Sequence, residues 1–260
     1  MIRNPILKVL SVMRSHRVQA LLMGGQACIF YGAAEFSRDI DILMLAEPDS
    51  LKPLLQALKE LQAECIAVPP FSADYLRRGH GLHFRCHHPE AKGMRIDIMS
   101  VLRGLDPFPK LWQRRTTVRI SSRKVFDLLS LPDLVKAKKT QRDKDWPMIR
   151  RLVEAHYAQN QQRPTSEQIS FWLKEARTPS LLIEMAKTYP KVLARCRSHR
   201  PLLSLAVQGN ERKLTSALDE EEKKVRETDR IYWEPMRKEL EALRHGKGDH
   251  TPAAGTQQIR

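Results

Sequence analysis

The 260-residue sequence has no long hydrophobic run, few aromatic residues and only four cysteines. No apolar stretch approaches the roughly 18 residues that a membrane-spanning helix needs. The cysteines lie far apart and show no paired spacing, so neither a disulfide framework nor a zinc ribbon is indicated. The N-terminal segment lacks the continuous apolar core of a signal peptide and is predicted to form an amphipathic helix. We therefore expect a cytoplasmic protein that makes no membrane contact.

Acidic residues are scarce relative to basic ones, and the formal net charge is +15. More than half of this excess lies in residues 101–160, which contain 14 Lys and Arg but 6 Asp and Glu. A field of one sign favours a polyanionic partner. Aromatic residues make up only 6% of the chain, which argues against extensive base stacking on single strands. The composition therefore favours a folded RNA such as tRNA, bound through its phosphates.

Two aspartates alternate with apolar residues in a predicted strand over residues 38–45. Because the side chains of a strand alternate between its faces, Asp39 and Asp41 share one face while Ile40 and Ile42 share the other. Two carboxylates this near to each other do not readily ionise together unless a cation lies between them. Oxygen ligands of this kind favour Mg²⁺ or Mn²⁺. The pair therefore predicts a divalent metal site.

A second predicted strand, in the sequence GMRIDIMSV, supplies a third carboxylate. Asp97 stands between Ile96 and Ile98, so it lies on the face opposite these isoleucines. If this strand lies beside the first, the three aspartates form the kind of cluster that holds two divalent ions for in-line phosphoryl displacement. Asp97 is then also the natural base for an attacking hydroxyl.

A glycine pair precedes the first aspartates along the chain. Gly24 and Gly25 follow a short buried strand over residues 19–23 and precede a predicted helix over residues 26–34. Such a turn exposes backbone N–H groups at the start of a helix, where triphosphate oxygens are favoured. The pair therefore predicts a phosphate-binding turn.

Together, the glycine pair, the helix, the segment SRDIDIL and the later RIDIM resemble the nucleotidyltransferase superfamily, which has the polymerase-beta-like fold. Within it, the chain is similar to the bacterial minimal nucleotidyltransferases that include the AbiEii-type toxins of toxin–antitoxin systems. The resemblance extends over residues 1–150. It implies transfer of a nucleotide from an NTP to a hydroxyl with Mg²⁺ or Mn²⁺ as cofactor. An antitoxin protein is an implied partner.

The resemblance also implies roles for the aspartates and glycines. By it, Asp39 and Asp41 are metal ligands, Asp97 is the third ligand and the catalytic base, and Gly24 and Gly25 lie at the triphosphate.

The nucleotide-binding residues depart from the family pattern at one position. Many members carry serine after the first glycine of the turn, whereas this chain has Gly25 followed by Gln26. The phosphate contacts would then rest on backbone N–H groups together with Gln26. Ser37 and Arg38, which directly precede the first aspartate, are also assigned to nucleotide binding by the resemblance.

The segment LPDLVKAKKTQRDKDW, residues 131–146, carries a further resemblance to the toxin-type members. Lys138, Arg142 and Asp145 follow at steps of four and three, which predicts one helical face. Lys138 or Arg142 could reach the β- and γ-phosphates of an NTP, and both are assigned to nucleotide binding. The alternative is that Arg142 and Asp145 form an ordinary ion pair on a solvated helix face.

Residues 80–88 are rich in histidine and include Cys86. Their spacing matches no known zinc pattern, so a metal site here is disfavoured. A hairpin strand near the active site that contributes a substrate contact is the favoured interpretation.

The predicted fold is α+β. A nucleotidyltransferase-like mixed sheet with flanking helices is expected over residues 1–125, an all-helical domain over 126–245 and a disordered tail over 246–260. The predicted function is metal-dependent nucleotidyl transfer to an RNA or protein hydroxyl, as the toxin of a toxin–antitoxin pair.

Two other functions stay open at this point. Nucleotidylation of a small molecule such as an aminoglycoside antibiotic is disfavoured, because cationic substrates call for an acidic cleft. A non-catalytic protein that keeps the nucleotidyltransferase-like shape and binds RNA or a partner is disfavoured too, because three acids are expensive to keep together without a use.

Overall fold

The structure is a computed structural model that describes residues 4–34, 36–121 and 124–246. The chain divides into two compact units. The sheet unit comprises the described residues of 1–30, 35–134 and 232–260. The helical unit comprises residues 31–34 and 135–231. None of the helices in the described ranges is long and apolar enough to cross a membrane.

The sheet unit contains a mixed sheet of seven strands in the described part of the chain, in the order β3-β4-β5-β2-β1-β7-β6. The pairs β2–β5 and β1–β7 are parallel, and the remaining neighbours are antiparallel. The strands are β1 (Ala20–Met23), β2 (Asp39–Met44), β3 (Ala63–Cys65), β4 (Leu82–Cys86), β5 (Arg95–Met99), β6 (Thr116–Ser121) and β7 (Lys124–Leu128).

One helix precedes the first strand, and other helices connect the strands that follow. They are α1 (Asn4–Ser15), α2 (Gly24–Phe30), α3 (Pro48–Glu60), α4 (Ala73–Arg77) and α5 (Phe108–Gln113), with a 3₁₀ turn at Pro89–Ala91. Helix α6 (Leu131–Ala137) spans the boundary between the two units.

Alternation along the strands separates a core face of the sheet from a polar face. Ile40 and Ile42 of β2 and Ile96 and Ile98 of β5 are all at most 3% exposed, whereas the aspartates between them are not buried. Removing each such side chain from water stabilises the fold by about 2 kcal/mol. The core face therefore fixes which way the aspartates point.

The helical unit contains α7 (Asp145–Asn160), α8 (Ser166–Glu175), α9 (Pro179–Thr188), α10 (Pro190–Cys196), α11 (Leu203–Val207) and the first part of α12 (Glu211–Gly246). Its core includes Trp172, whose indole Nε1 donates to His156 Nδ1 at 2.8 Å. Burial lowers the pKa of His156, which keeps the imidazole neutral and able to accept this bond.

The prediction of an α+β fold with a mixed sheet, flanking helices and a helical C-terminal region is confirmed. The predicted boundary at residue 125 is displaced, however, because it falls inside β7. Leu128 at the end of this strand is fully buried and pairs with Leu22, so the sheet unit continues to residue 134. Residues 232–246 of α12 also belong to the sheet unit and not to the helical one. The predicted tail lies outside the described residues from position 247 onwards.

The predicted helical face of Lys138, Arg142 and Asp145 is wrong. Helix α6 ends at Ala137, and the chain turns before α7 begins at Asp145. The turn forms because the Asp145 carboxylate, 3% exposed, collects three donors from it. Lys138 Nζ lies 3.2 Å from Oδ1, and Arg142 Nε and Thr140 Oγ1 each donate to Oδ2 at 2.7 Å.

Replacing Asp145 with Asn should destabilise the helical unit, because the largely buried ammonium of Lys138 would lose its counter-charge. Breaking a buried pair from one side costs about 3 kcal/mol or more. We expect a loss of this size in urea unfolding at pH 7. The matched control is Asp219→Asn, an exposed aspartate of α12, which should change stability by less than about 0.5 kcal/mol.

The same pair predicts a pH dependence. Burial raises the pKa of Asp145, but Lys138, Thr140 and Arg142 outweigh it, so its pKa lies below the ordinary value of 3.8. A lowered folded pKa stabilises the fold above 3.8, and the effect is lost as pH falls through the folded value. The parent should therefore lose more stability than Asp145→Asn between pH 7 and pH 3. Equal losses would contradict the assignment.

Candidate active site

The carboxylates lie on the polar face of the sheet, in two rows that cross three strands. The register of β2, β5 and β4 aligns Asp41 with Asp97 and Asp97 with His83. Two residues earlier in each strand, the same register aligns Asp39 with Arg95. Residues directly opposite each other point to the same face. The three predicted aspartates therefore share one surface, as their alternation with isoleucine predicts.

The glycine turn lies directly against one of these carboxylates. Gly24 has a φ of +63°, and a Cβ added to it would lie 1.9 Å from Asp41 Oδ2. A Cβ added to Gly25 would lie 2.4 Å from Ser37 Oγ. Only glycine accommodates both the backbone conformation and the approach at position 24. The turn therefore brings its backbone into close contact with the Asp41 carboxylate and the Ser37 hydroxyl.

Asp97 has two cationic or donor neighbours of its own. His83 Nδ1 donates to Asp97 Oδ1 at 2.8 Å, and Arg95 Nε donates to the same oxygen at 2.7 Å. Burial raises the pKa of Asp97, but the hydrogen bonds from His83 and Arg95 outweigh it, and the pKa is lowered. Asp97 is therefore held as a carboxylate, and a lowered pKa makes it a weaker base.

Within the described ranges, no group of three or more His, Cys, Asp or Glu side chains is arranged to hold a metal ion. The three aspartates share a face, but Asp97 is turned towards Arg95 and His83. Asp39 and Asp41 are the two whose chemistry fits a divalent ion best, since they offer hard oxygen donors from neighbouring positions on one strand face. A divalent ion therefore fits the pair of Asp39 and Asp41, and Asp97 lies beside this pair.

Gln26 does not face outwards to a ligand. Its side chain is fully buried, and its amide nitrogen lies 3.4 Å from the carbonyl oxygen of Ser37 and 3.5 Å from that of Asp39. Ser37 Oγ also donates to the carbonyl of Asp39 at 3.2 Å. Both side chains therefore support the backbone that leads into β2. Arg38 is exposed, with its guanidinium 6.0 Å from the ring centre of Phe36.

Lys138 and Arg142, the other two residues assigned to nucleotide binding, lie in the helical unit. Their cationic groups are paired with Asp145 there. The structure contains the Arg142–Asp145 ion pair that the second interpretation of this segment predicts. The pair forms across a turn and not along a helix face.

Much of the basic charge of residues 101–160 is also paired internally. Arg114 makes a two-pronged pair with Asp133, at 2.7 and 2.8 Å, and a third contact with Asp106 at 2.7 Å. Arg115 lies over the ring of Trp112 and pairs with Asp127. These arginines hold the sheet unit together, so the charge of this segment overstates what it offers a polyanion.

The histidine-rich segment divides between several environments. His80 is buried, with Nε2 2.9 Å from Glu239 of α12, and His87 lies near Glu64. His83 alone in this segment lies beside a predicted site residue. Sequence reasoning missed this contact and that of Arg95, although the alternation in LHFRC and RIDIM already places both side chains on the polar face.

No protein-family model matches the chain, and no curated protein matches it. It is similar to a crystal structure described as a "putative nucleotidyltransferase from H. pylori", at 13% identity and a TM-score of 0.38, over 84% of this chain and 98% of that chain. It is also similar to JHP933 from Helicobacter pylori, at 14% identity and a TM-score of 0.36, over 92% and 96% of the two chains. Both TM-scores lie below 0.5, so neither structure carries a functional assignment over to this chain.

Proposed function

We propose that the sheet unit is a metal-dependent nucleotidyltransferase that moves a nucleotide from an NTP to a hydroxyl of an RNA or protein. The observation that carries the proposal is the contact of Gly24 with Asp41, beside Asp39 on the same strand face. A glycine turn beside two carboxylates is the arrangement that binding of a metal–triphosphate complex requires. The setting that we propose is the toxin half of a toxin–antitoxin pair, with an RNA of tRNA size as one of the two acceptor classes.

Asp39 and Asp41 would hold Mg²⁺ or Mn²⁺ in this proposal, with Asp97 as a neighbouring third carboxylate. The ion, when bound, offsets the negative charge of the triphosphate. The backbone N–H groups of Gly24 and Gly25 would bind phosphate oxygens. Asp97 would orient an attacking hydroxyl and take up its proton, although the hydrogen bonds from Arg95 and His83 lower its pKa and make it a weaker base.

A second candidate is a nucleotidyltransferase-like protein without catalysis that binds NTP, RNA or a protein partner. The pairing of Asp97 with Arg95 and His83 favours it, because these groups satisfy the carboxylate without a metal ion. The two candidates differ in one observable, which is covalent transfer of label from an NTP. They are therefore separated by activity and not by binding.

Replacing Asp41 with Asn should abolish Mg²⁺-dependent transfer while the fold is kept, because the amide preserves shape and removes the ligand charge. A metal supplies several kcal/mol to such a reaction, so the rate should fall by about 100-fold or more. The measurement is transfer of label from α-³²P-labelled NTPs to total RNA. Asp49→Asn, an exposed aspartate of α3, is the matched control and should label RNA like the parent. Equal labelling by Asp41→Asn would show that the site is misassigned.

Replacing Gly24 with Ala should weaken NTP binding, because the new methyl group would displace the Asp41 carboxylate. Gly93→Ala is the matched control, since Gly93 also has a positive φ, of +78°, but has nothing within 4 Å of an added Cβ. Backbone strain should cost each variant about 1–2 kcal/mol of stability, and the contact with Asp41 adds to the loss in Gly24→Ala. Only Gly24→Ala should weaken binding of fluorescent NTP analogues, by more than about tenfold, which corresponds to 1.4 kcal/mol. Similar affinities for the two variants would argue against a nucleotide at this turn.

A further inference from the structure

An exposed arginine lies on the polar face of the sheet, near the aspartates. Arg85 lies on β4, directly opposite Arg95 on β5, and Arg95 lies directly opposite Asp39 on β2. The row therefore places two arginines side by side next to a proposed metal ligand. Like charges directly opposite each other on neighbouring strands are destabilising unless a counter-charge lies between them.

The neighbouring acids form no ion pair with Arg85 within the described residues. Arg95 is engaged by Asp97, with its Nε 2.7 Å from Oδ1. Glu64 lies opposite Arg85 on β3, but its carboxylate lies 3.4 Å from His87 Nε2 instead. Among the described residues, none forms an ion pair or a side-chain hydrogen bond with Arg85. Its guanidinium, with five donors, is therefore directed to solvent or to a ligand.

The position of Arg85 relative to the glycine turn indicates which ligand. In the order β4-β5-β2-β1, the aspartates of β2 and β5 lie between Arg85 on β4 and the turn that follows β1. Strands lie about 4.8 Å apart, so Arg85 is about 10 Å from β2 on the side away from the turn. In-line displacement requires the attacking and leaving groups on opposite sides of the phosphorus. With the triphosphate at Gly24, the acceptor approaches from the β4 side.

We propose that Arg85, together with Arg95, binds a backbone phosphate of a nucleic-acid acceptor next to its attacking hydroxyl. The inference rests on the proposed function and deepens it, because it selects RNA over protein as the acceptor. A guanidinium matches a phosphate through two parallel hydrogen bonds, which is why arginine suits this contact better than lysine. The bound phosphate also places a negative charge beside Arg85, whose guanidinium forms no ion pair with the described residues.

Fluorescence anisotropy with a 5′-fluorescein-labelled RNA hairpin that has a single-stranded 3′ end tests this proposal without NTP or metal. Arg85→Ala should weaken binding about 3- to 10-fold and reduce the slope of log K against log salt by about 0.7–0.9, the value of one phosphate contact. Arg85→Lys should restore the slope and only part of the affinity. Arg119→Ala, an exposed arginine of β6 at the other end of the sheet, is the matched control and should bind like the parent.

Parent-like affinity and salt slope in Arg85→Ala would overturn the proposal. An equal loss in Arg119→Ala would overturn it too, because it would show that any exposed cation of the sheet unit contributes. Failure of the proposed function is seen separately, as an absence of label transfer by the parent. Transfer to a protein acceptor that Arg85→Ala leaves unchanged would keep the chemistry and remove the RNA site.

Discussion

The parallel pairing of β2 with β5 is the constraint on which the site depends. In this register Asp41 lies opposite Asp97, while Ile40 and Ile42 lie on the buried face with the isoleucines of β5. A slip of one residue would exchange the faces of a strand and move its carboxylates into the core. Burying unpaired carboxylates costs several kcal/mol each, so the hydrophobic core and the acidic surface enforce the same register. The register that buries the isoleucines thus also places the three aspartates on one surface.

The charges on the polar face reveal how the chain tolerates clustered acids. Three carboxylates on one surface repel each other, and Arg95 and His83 relieve this by holding Asp97. A metal ion at Asp39 and Asp41 would add a further counter-charge on the other side of the cluster. Arg85, on the same face, forms no ion pair with any of the described residues.

Local alternation made the shared face of the three aspartates predictable. The period of two in DIDIL and RIDIM is sufficient to place the aspartates on one face, and the glycine pair marks the turn that touches Asp41. Features set by contacts between distant residues could not be predicted in this way. The turn at Lys138 depends on donors gathering at Asp145, although the spacing alone equally fits a helix. The burial of Gln26 depends on the loop before β2, to whose carbonyl groups its amide nitrogen points.

Crystals soaked with Mn²⁺ and non-hydrolysable NTP analogues test the proposed metal and nucleotide sites most directly. The anomalous signal of manganese identifies the ion without reference to its ligands. We predict a peak between the carboxylates of Asp39 and Asp41, with the phosphates of the analogue over Gly24 and Gly25. Manganese bound elsewhere, or a nucleotide distant from this turn, would contradict it.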